Sequence, residues 1–274
     1  MSTAWYRGKV IPSVIRRWEY DPLSSISTTT ATSNRLLQAV EIWDTPCIVT
    51  NFEADVLINP ANSRLTGVAK FPYFPKGGPQ PKEQPAKDAH HIMGYVTQWG
   101  GMEVGQGMMF AANVVDGLVH QLGGANLRKQ LASIGECPEG EAVMTTHDDD
   151  DDSAIPYSKI VHTVPPFYNL SDNNLLQLCY HNSLRLVHQQ NFHHQKDWIR
   201  VACPLLGAGC RGFPSLEAMQ RAANAVVDCI HKETESSTLA DSSKRVTLAF
   251  GIPSRDLRDT FVQIMEQAML DCQK

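Results

Sequence analysis

The stretch Leu206-Gly-Ala-Gly-Cys-Arg-Gly-Phe-Pro214 decides how this chain folds. It follows an apolar run at 198–204 and precedes a helix-like segment at 215–230, so it predicts a strand, a glycine-rich loop and a helix in succession. Closely spaced glycines let backbone N–H groups approach an anion without an intervening Cβ, and the helix start adds partial positive charge. The sequence therefore predicts a phosphate-binding loop at 206–214.

The same loop also reads GxGxxG from Gly207 to Gly212, which is the spacing of dinucleotide-binding enzymes. That fingerprint requires a carboxylate about 20 positions further on, at the end of the next strand. Here the next strand, at 245–250, ends in Phe-Gly-Ile-Pro without a carboxylate, and Pro214 fits the first turn of a helix better. These features argue against a nicotinamide-dependent dehydrogenase.

Hydrophobic periodicity alternates between strand and helix along the rest of the chain. Strands are predicted near 37–43, 55–59, 141–145, 159–164, 198–204 and 245–250, and helices near 115–133, 173–190, 215–231 and 254–271. This order is typical of an α/β sheet that helices cover on both faces. Ligands of such sheets bind at the carboxyl ends of the strands, where Asn59, Asn62, Gly207 and Phe250 all lie.

The composition narrows the class of protein. A chain of 274 residues buries on the order of three quarters of its unfolded surface, enough for one sizeable core or two small ones. The net charge of −5 provides no basic field for nucleic acid, and no apolar run approaches the roughly 20 residues that span a bilayer. Seven cysteines without a CxxC pair favour a reducing compartment. We therefore expect a cytoplasmic or nuclear protein that binds neither nucleic acid nor membranes.

Residues 1–36 precede the first predicted core strand and combine basic residues with a Ser/Thr-rich segment. A mitochondrial transit peptide is the alternative interpretation, but Glu19 and Asp21 argue against it because such peptides are poor in acidic residues. An extension that packs on the domain, or a flexible tail, is preferred. We therefore divide the chain into an N-terminal extension at 1–36 and one domain at 37–274.

Five further segments occur in a fixed order before the glycine loop. They are DVLINPANS at 55–63, VDGLVH at 115–120, CPEGEAVMT at 137–145, IVHTV at 160–164 and CYHNSL at 179–184. Together with the loop they resemble the macrodomain family over about residues 37–270, and their pattern is closest to that of the MacroD-type mono-ADP-ribosyl hydrolases. The resemblance implies a three-layer α/β/α sandwich with a mostly parallel, mixed, six-stranded sheet. It also implies ADP-ribose as the ligand.

The resemblance assigns roles to individual residues. It places Asn62 on the distal ribose, where an amide group suits paired hydroxyls, and Asp116 beside that ribose, where a carboxylate orients a water. These two residues are the candidate catalytic pair; the alternatives are a turn asparagine and a carboxylate that stabilises a helix dipole. The expected ligand-binding set is Asn59, Asn62, Asn113, Val115, Leu206, Gly207, Ala208, Gly209, Cys210, Arg211, Gly212, Phe213 and Phe250.

The sequence departs from the family pattern at several places. Insertions at about 64–112 and 146–156 interrupt the domain, and the apolar content of the first favours a packed lid. Asn113 stands where relatives carry one of two consecutive glycines. Arg211 replaces an aromatic residue, so its guanidinium either stacks on the sugar, binds a phosphate or points to solvent. Phe250 matches the position that stacks on adenine, with a core phenylalanine as the alternative.

We therefore expect a protein that binds ADP-ribose and removes mono-ADP-ribose from modified proteins, or the acyl group from O-acyl-ADP-ribose. The alternative is a non-catalytic module that reads ADP-ribosylated proteins. No cofactor is expected. No metal is expected either, because the first insertion holds only the adjacent His90 and His91, which point in different directions, and no cysteine.

Overall fold

A computed structural model describes residues 12–19, 35–45, 47–67, 115–147, 153–190, 198–209, 211–231 and 245–272. The strands of this part are β1 Ser13–Glu19, β2 Ala39–Asp44, β3 Val56–Pro60, β4 Ala142–Thr146, β5 Lys159–Thr163, β6 Trp198–Cys203 and β7 Arg245–Gly251. Its helices are α1 Val115–Leu122, α2 Gly124–Ile134, α3 Leu175–Gln189, α4 Ser215–His231 and α5 Arg255–Asp271. No helix among these is both long and apolar enough to cross a membrane.

The strands form one mixed sheet in the order β1-β2-β7-β6-β3-β5-β4. The five central strands, β2, β7, β6, β3 and β5, run parallel, and the two edge strands, β1 and β4, are antiparallel to their neighbours. The mostly parallel mixed sheet expected from the sequence is confirmed. Because the central strands are parallel, their carboxyl ends share one edge of the sheet, where β3 and β6 lead into the predicted site.

The sheet has seven strands in the described part of the chain, one more than the sequence predicted. The additional strand, β1, lies in the N-terminal extension and pairs with β2, with Arg17 opposite Glu41. Its side chains are mostly exposed, and Val14 and Ile15 are adjacent apolar residues, so its sequence lacks the alternation that marks a half-buried strand. Residues 13–19 therefore belong to the sheet of the domain.

The helix predicted at 115–133 is two helices, α1 and α2, which are separated at Gly123. Gly124 has a φ of +72°, a conformation that side-chain-bearing residues rarely adopt. A Cβ on Gly123 would lie 2.1 Å from Leu127 Cδ2. The glycine pair therefore allows a turn that is too tight for residues with a Cβ.

Two hydrophobic cores lie on the two faces of the sheet. One contains Val56 and Ile58 of β3 together with buried residues of α3, α4 and α5. The other contains Leu57 of β3 together with Val119 of α1 and Leu127 of α2. This gives the expected three layers, and it places the next odd-numbered position of β3, Asn59, on the side of α1.

Candidate functional site

A buried polar cluster lies where β3 meets the first turn of α1. Asn59, at the end of β3, is fully buried, and its Nδ2 donates to Asp116 Oδ1 at 2.8 Å. Asp116 is 6% exposed, and a side-chain hydrogen bond from Asn62 also stabilises its charged form. The structure therefore brings together Asn62 and Asp116, the two side chains that the resemblance assigned to the distal ribose, with Asn59 of the expected ligand-binding set.

The pKa of the Asp116 carboxyl is raised. Burial raises its pKa, and this effect exceeds the opposing influence of His120, Asn59, Arg211 and Asn62. His120 Nε2 lies 3.5 Å from Asp116 Oδ1, one turn along the same helix. A buried carboxylate with a raised pKa is a better proton acceptor than an exposed one, which suits a general base.

Asn62 also orders the loop that follows β3. Its Oδ1 accepts hydrogen bonds from Arg64 N at 3.1 Å, Thr66 N at 3.3 Å and Thr66 Oγ1 at 3.3 Å. Because the carbonyl is used inside the loop, the amide group is the part of the side chain that faces Asp116. The turn interpretation of Asn62 and its place in the site are therefore compatible.

The glycine loop between β6 and α4 has the geometry of an open backbone cradle. Gly207 and Gly212 have φ values of +81° and +80°, and a Cβ on Gly207 would meet Leu176 and Phe213 at 3.0 Å. At Gly209, in contrast, no atom of the described residues lies within 4 Å of the position of a Cβ. The outer glycines thus shape the loop, whereas Gly209 leaves room for a ligand next to the backbone.

Arg211 folds inward across the loop. Its Nη2 donates to Ala61 O at 2.8 Å, and its guanidinium carbon lies 4.4 Å from the ring centroid of Phe167. Its Nη1 lies 3.9 Å from a carboxylate oxygen of Glu139, and its side chain is only 13% exposed. The solvent-facing alternative for Arg211 is therefore wrong. Instead, the guanidinium joins the glycine loop to the loop that follows β3.

Phe250 requires a correction. Its side chain is fully buried, and its ring centroid lies 5.0 Å from that of Phe261 and 6.0 Å from that of Tyr180. Strand alternation turns it toward the core beneath α3, α4 and α5, so it leaves no ring face open to an adenine. Leu206 and Phe213 are buried in the same core, which leaves only their backbone atoms available to a ligand.

The remaining predicted positions are only partly described. Val115, the first residue of α1, and Ala208 of the glycine loop are each partly buried. Asn113 and Cys210 lie outside the described residues, as do His90, His91 and the first insertion beyond Gly67. Within the described ranges, no group of three or more His, Cys, Asp or Glu side chains is arranged to hold a metal ion.

The sequence did not single out several side chains that complete the cluster. His162 of β5 is fully buried, with Nδ1 3.1 Å from Asn59 Nδ2 and Nε2 2.9 Å from Thr145 Oγ1. Phe167 and Glu139 contact Arg211. The available signal was a histidine among the β-branched residues at 160–164, since a polar group in a buried strand is expected to form hydrogen bonds.

Comparisons with known proteins show what this chain is similar to. Residues 105–222 match the family model of the Macro domain. O-acetyl-ADP-ribose deacetylases from Citrobacter koseri and Escherichia coli K12 are each 33% identical, over 121 and 123 residues. Each match covers 42% of this chain and spans 62% and 63% of the respective relative.

The fold is similar to that of solved macrodomains. The Oceanobacillus iheyensis macrodomain with ADP superposes with a TM-score of 0.54 at 17% identity, covering 93% of this chain and 98% of that one. The Trypanosoma brucei macrodomain in complex with ADP gives 0.50 at 19% identity, covering 82% and 68%. At these identities the structural likeness establishes the fold alone.

Proposed function

We propose that this chain binds ADP-ribose and hydrolyses ester bonds at the distal ribose, because residues 105–222 match the Macro domain model and the fold is similar to that of solved macrodomains. The substrates are O-acyl-ADP-ribose or proteins that carry mono-ADP-ribose on an acidic side chain. The observation that carries this proposal is the buried carboxylate of Asp116, held by Asn59 and adjoining Asn62, at the sheet edge that also bears the glycine loop.

Binding depends on two loops that one side chain joins. The glycine loop has an open face at Gly209 for a diphosphate, and Asn62 lies in the loop that follows β3. The bond from Arg211 to the carbonyl of Ala61 holds these loops together. In the proposed complex the diphosphate lies on the glycine loop and the distal ribose extends toward Asn62 and Asp116.

The proposed reaction is a hydrolysis with Asp116 as general base. The ionised carboxylate accepts a proton from a water whose oxygen attacks the ester carbonyl carbon. The bond between that carbon and the ribose oxygen then breaks, and the ribose oxygen takes up the proton. The products are ADP-ribose with a free hydroxyl and a carboxylic acid, which is either the small acyl group or the protein side chain.

The second candidate is a reader module that recognises ADP-ribosylated proteins without cleaving them. It requires the same diphosphate loop, and the buried position of Asp116 favours it if no water reaches the carboxylate. The two candidates differ in one observable. Incubation with a peptide that carries mono-ADP-ribose on a glutamate should release free ADP-ribose if the chain is an enzyme, and should give only a stable complex if it is a reader.

The proposed orientation predicts a preference for ADP-ribose over ADP. The distal ribose provides hydroxyls for Asn62 and Asp116, and each well-placed hydrogen bond contributes about 0.5 to 1.5 kcal/mol. Two such bonds give ADP-ribose an affinity about fivefold to a hundredfold above that of ADP. Isothermal titration calorimetry with both ligands measures this difference. Equal affinities would contradict the placement of the distal ribose.

A further inference from the structure

His162 lies behind the proposed site without facing it. It is fully buried on β5, where it is the direct partner of Asn59 on the parallel strand β3. One nitrogen, Asn59 Nδ2, lies 2.8 Å from Asp116 Oδ1 and 3.1 Å from His162 Nδ1. The amide of Asn59 therefore stands between the carboxylate and the imidazole.

These contacts fix the protonation of the ring. An amide nitrogen carries two hydrogens and no acceptor, so His162 Nδ1 must be the unprotonated, accepting nitrogen. Nε2 then carries the hydrogen and donates it to Thr145 Oγ1 at 2.9 Å. Burial, with smaller contributions from His120 and His147, lowers the pKa of His162 to about 3. The ring is therefore neutral at the pH values where a protein of this kind works.

We propose that His162 is a positioning residue, because its Nδ1 accepts one amide hydrogen of Asn59 and so directs the other at Asp116. The inference rests on the proposed function, since it assigns the orientation of the same carboxylate. Without an acceptor at 162 the amide of Asn59 is free to turn and present its carbonyl to Asp116. Two acceptors would then face each other, which favours a protonated carboxyl that donates to the amide.

The other groups that face Asp116 do not set the orientation of the Asn59 amide. His120 approaches from α1 and Arg211 from the glycine loop, and both favour the ionised carboxylate through charge. The amide of Asn62 adds a hydrogen bond from the loop after β3. None of these is described in contact with the amide of Asn59. Its orientation therefore depends on His162, and through the ring on Thr145.

The test begins with His162→Phe, which removes the acceptor and keeps a ring in the buried space. The acid limb of the pH profile for hydrolysis of O-acetyl-ADP-ribose should move to higher pH by about one unit, the size expected from losing one hydrogen bond to a charged group. Asn59→Ala should give a similar shift, and the double variant should not add to it. His162→Asn, whose carbonyl oxygen lies near the place of Nδ1, should restore most of the parent profile.

The matched control is Val161→Ala on the same strand. Val161 is equally buried but points into the core on the opposite face, so this variant lowers stability without touching the cluster. Its acid limb should stay at the parent position. If Val161→Ala shifts the limb as much as His162→Phe, the effect is a general loss of stability and the proposal is overturned.

A second readout keeps this inference separate from the proposed function. Carbon-13 NMR titration of the Asp116 carboxyl in ligand-free protein needs no turnover, and nitrogen-15 shifts report the tautomer of His162. If the parent shows no hydrolysis but His162→Phe raises the titration midpoint of Asp116, the positioning role stands and the enzyme proposal fails. An unchanged midpoint, or a protonated Nδ1 in the parent, would overturn the positioning role.

Should His162→Phe fail to fold, Thr145→Val is measured instead, because it removes the partner that selects the tautomer. The titration midpoint of Asp116 should rise in this variant, and no change would count against the proposal.

Discussion

At the scale of single residues, Asp116 is a carboxylate that is 6% exposed, with the amide of Asn59 and the imidazole of His120 beside it. Its identity as a candidate could be predicted from the VDG motif, because the motif places an acidic residue at the start of a helix. The residues that lie on the far side of its partner Asn59 could not be predicted. His162 and Thr145 are distant from Asp116 in sequence and become neighbours of the cluster only through the pairing of β3, β5 and β4.

The raised pKa of Asp116 predicts that Asp116→Asn stabilises the protein. The folded pKa lies above the unfolded one, so the contribution of Asp116 to stability is fully present below the ordinary Asp value. It is lost as the pH rises through the raised value. A neutral asparagine avoids this loss, so the free energy of unfolding at pH 7 should increase.

Urea unfolding of both proteins from pH 3 to pH 7 measures this difference. The gain from Asp116→Asn should vanish toward pH 3. Asp259→Asn on α5 is the control for the same substitution at a carboxylate that is 58% exposed. A gain that does not depend on pH would contradict the assignment of the raised pKa to Asp116.

At the scale of elements, the sequence predicted the glycine loop and most helix and strand bounds to within a few residues. Its clearest error was the single helix at 115–133, because hydrophobic periodicity continues through Gly123 and Gly124 while the backbone does not. The prediction that Phe250 stacks on adenine was wrong for a related reason. A position at the end of β7 is visible in the sequence, but the face that its side chain occupies depends on strand register.

The break at Gly123 predicts that Gly123→Ala destabilises the protein. The added methyl would lie 2.1 Å from Leu127 Cδ2 and 2.6 Å from Val119 O, so α1 or α2 must shift. Overpacking of this kind costs about 1 to 3 kcal/mol, measured as a decrease in the free energy of unfolding. Gly209→Ala is the control, since its Cβ meets no described atom within 4 Å and stability should change little. Equal effects of the two substitutions would refute the packing argument.

The glycine loop predicts that Gly209→Glu abolishes ADP-ribose binding while the protein remains folded. A Cβ at Gly209 meets no atom of the described residues within 4 Å, and a carboxylate carried from that position would repel the diphosphate. Calorimetry should show an affinity loss of about a hundredfold or more, which is at least 2.7 kcal/mol. Gly209→Gln has nearly the same shape without the charge and should lose less. A folded Gly209→Glu protein with parent affinity would exclude 206–214 as the phosphate loop.

At the scale of the whole molecule, the order of strands and helices was sufficient to predict a sheet with helices on both faces. The strand in the N-terminal extension was harder to predict, because β1 is an edge strand with exposed side chains. Its local sequence pattern carries little information about pairing. Its place next to β2 brings Arg17 to the buried carboxylate of Glu41, which also lies 3.4 Å from Arg200. This cluster links three strands, and the spacing of its residues in the sequence does not predict it.

The most direct test of the central claim is single-turnover hydrolysis of O-acetyl-ADP-ribose by the parent and by Asp116→Ala, with ADP-ribose affinity measured on the same preparations. The account predicts that the parent turns over and that Asp116→Ala is slower by about 10² or more, the lower range for a positioned acid–base group. Its affinity for ADP-ribose should change far less, because the diphosphate is held by the backbone of the glycine loop. A parent that binds without turnover, or an Asp116→Ala variant that hydrolyses as fast as the parent, would contradict the enzyme proposal and leave the reader in its place.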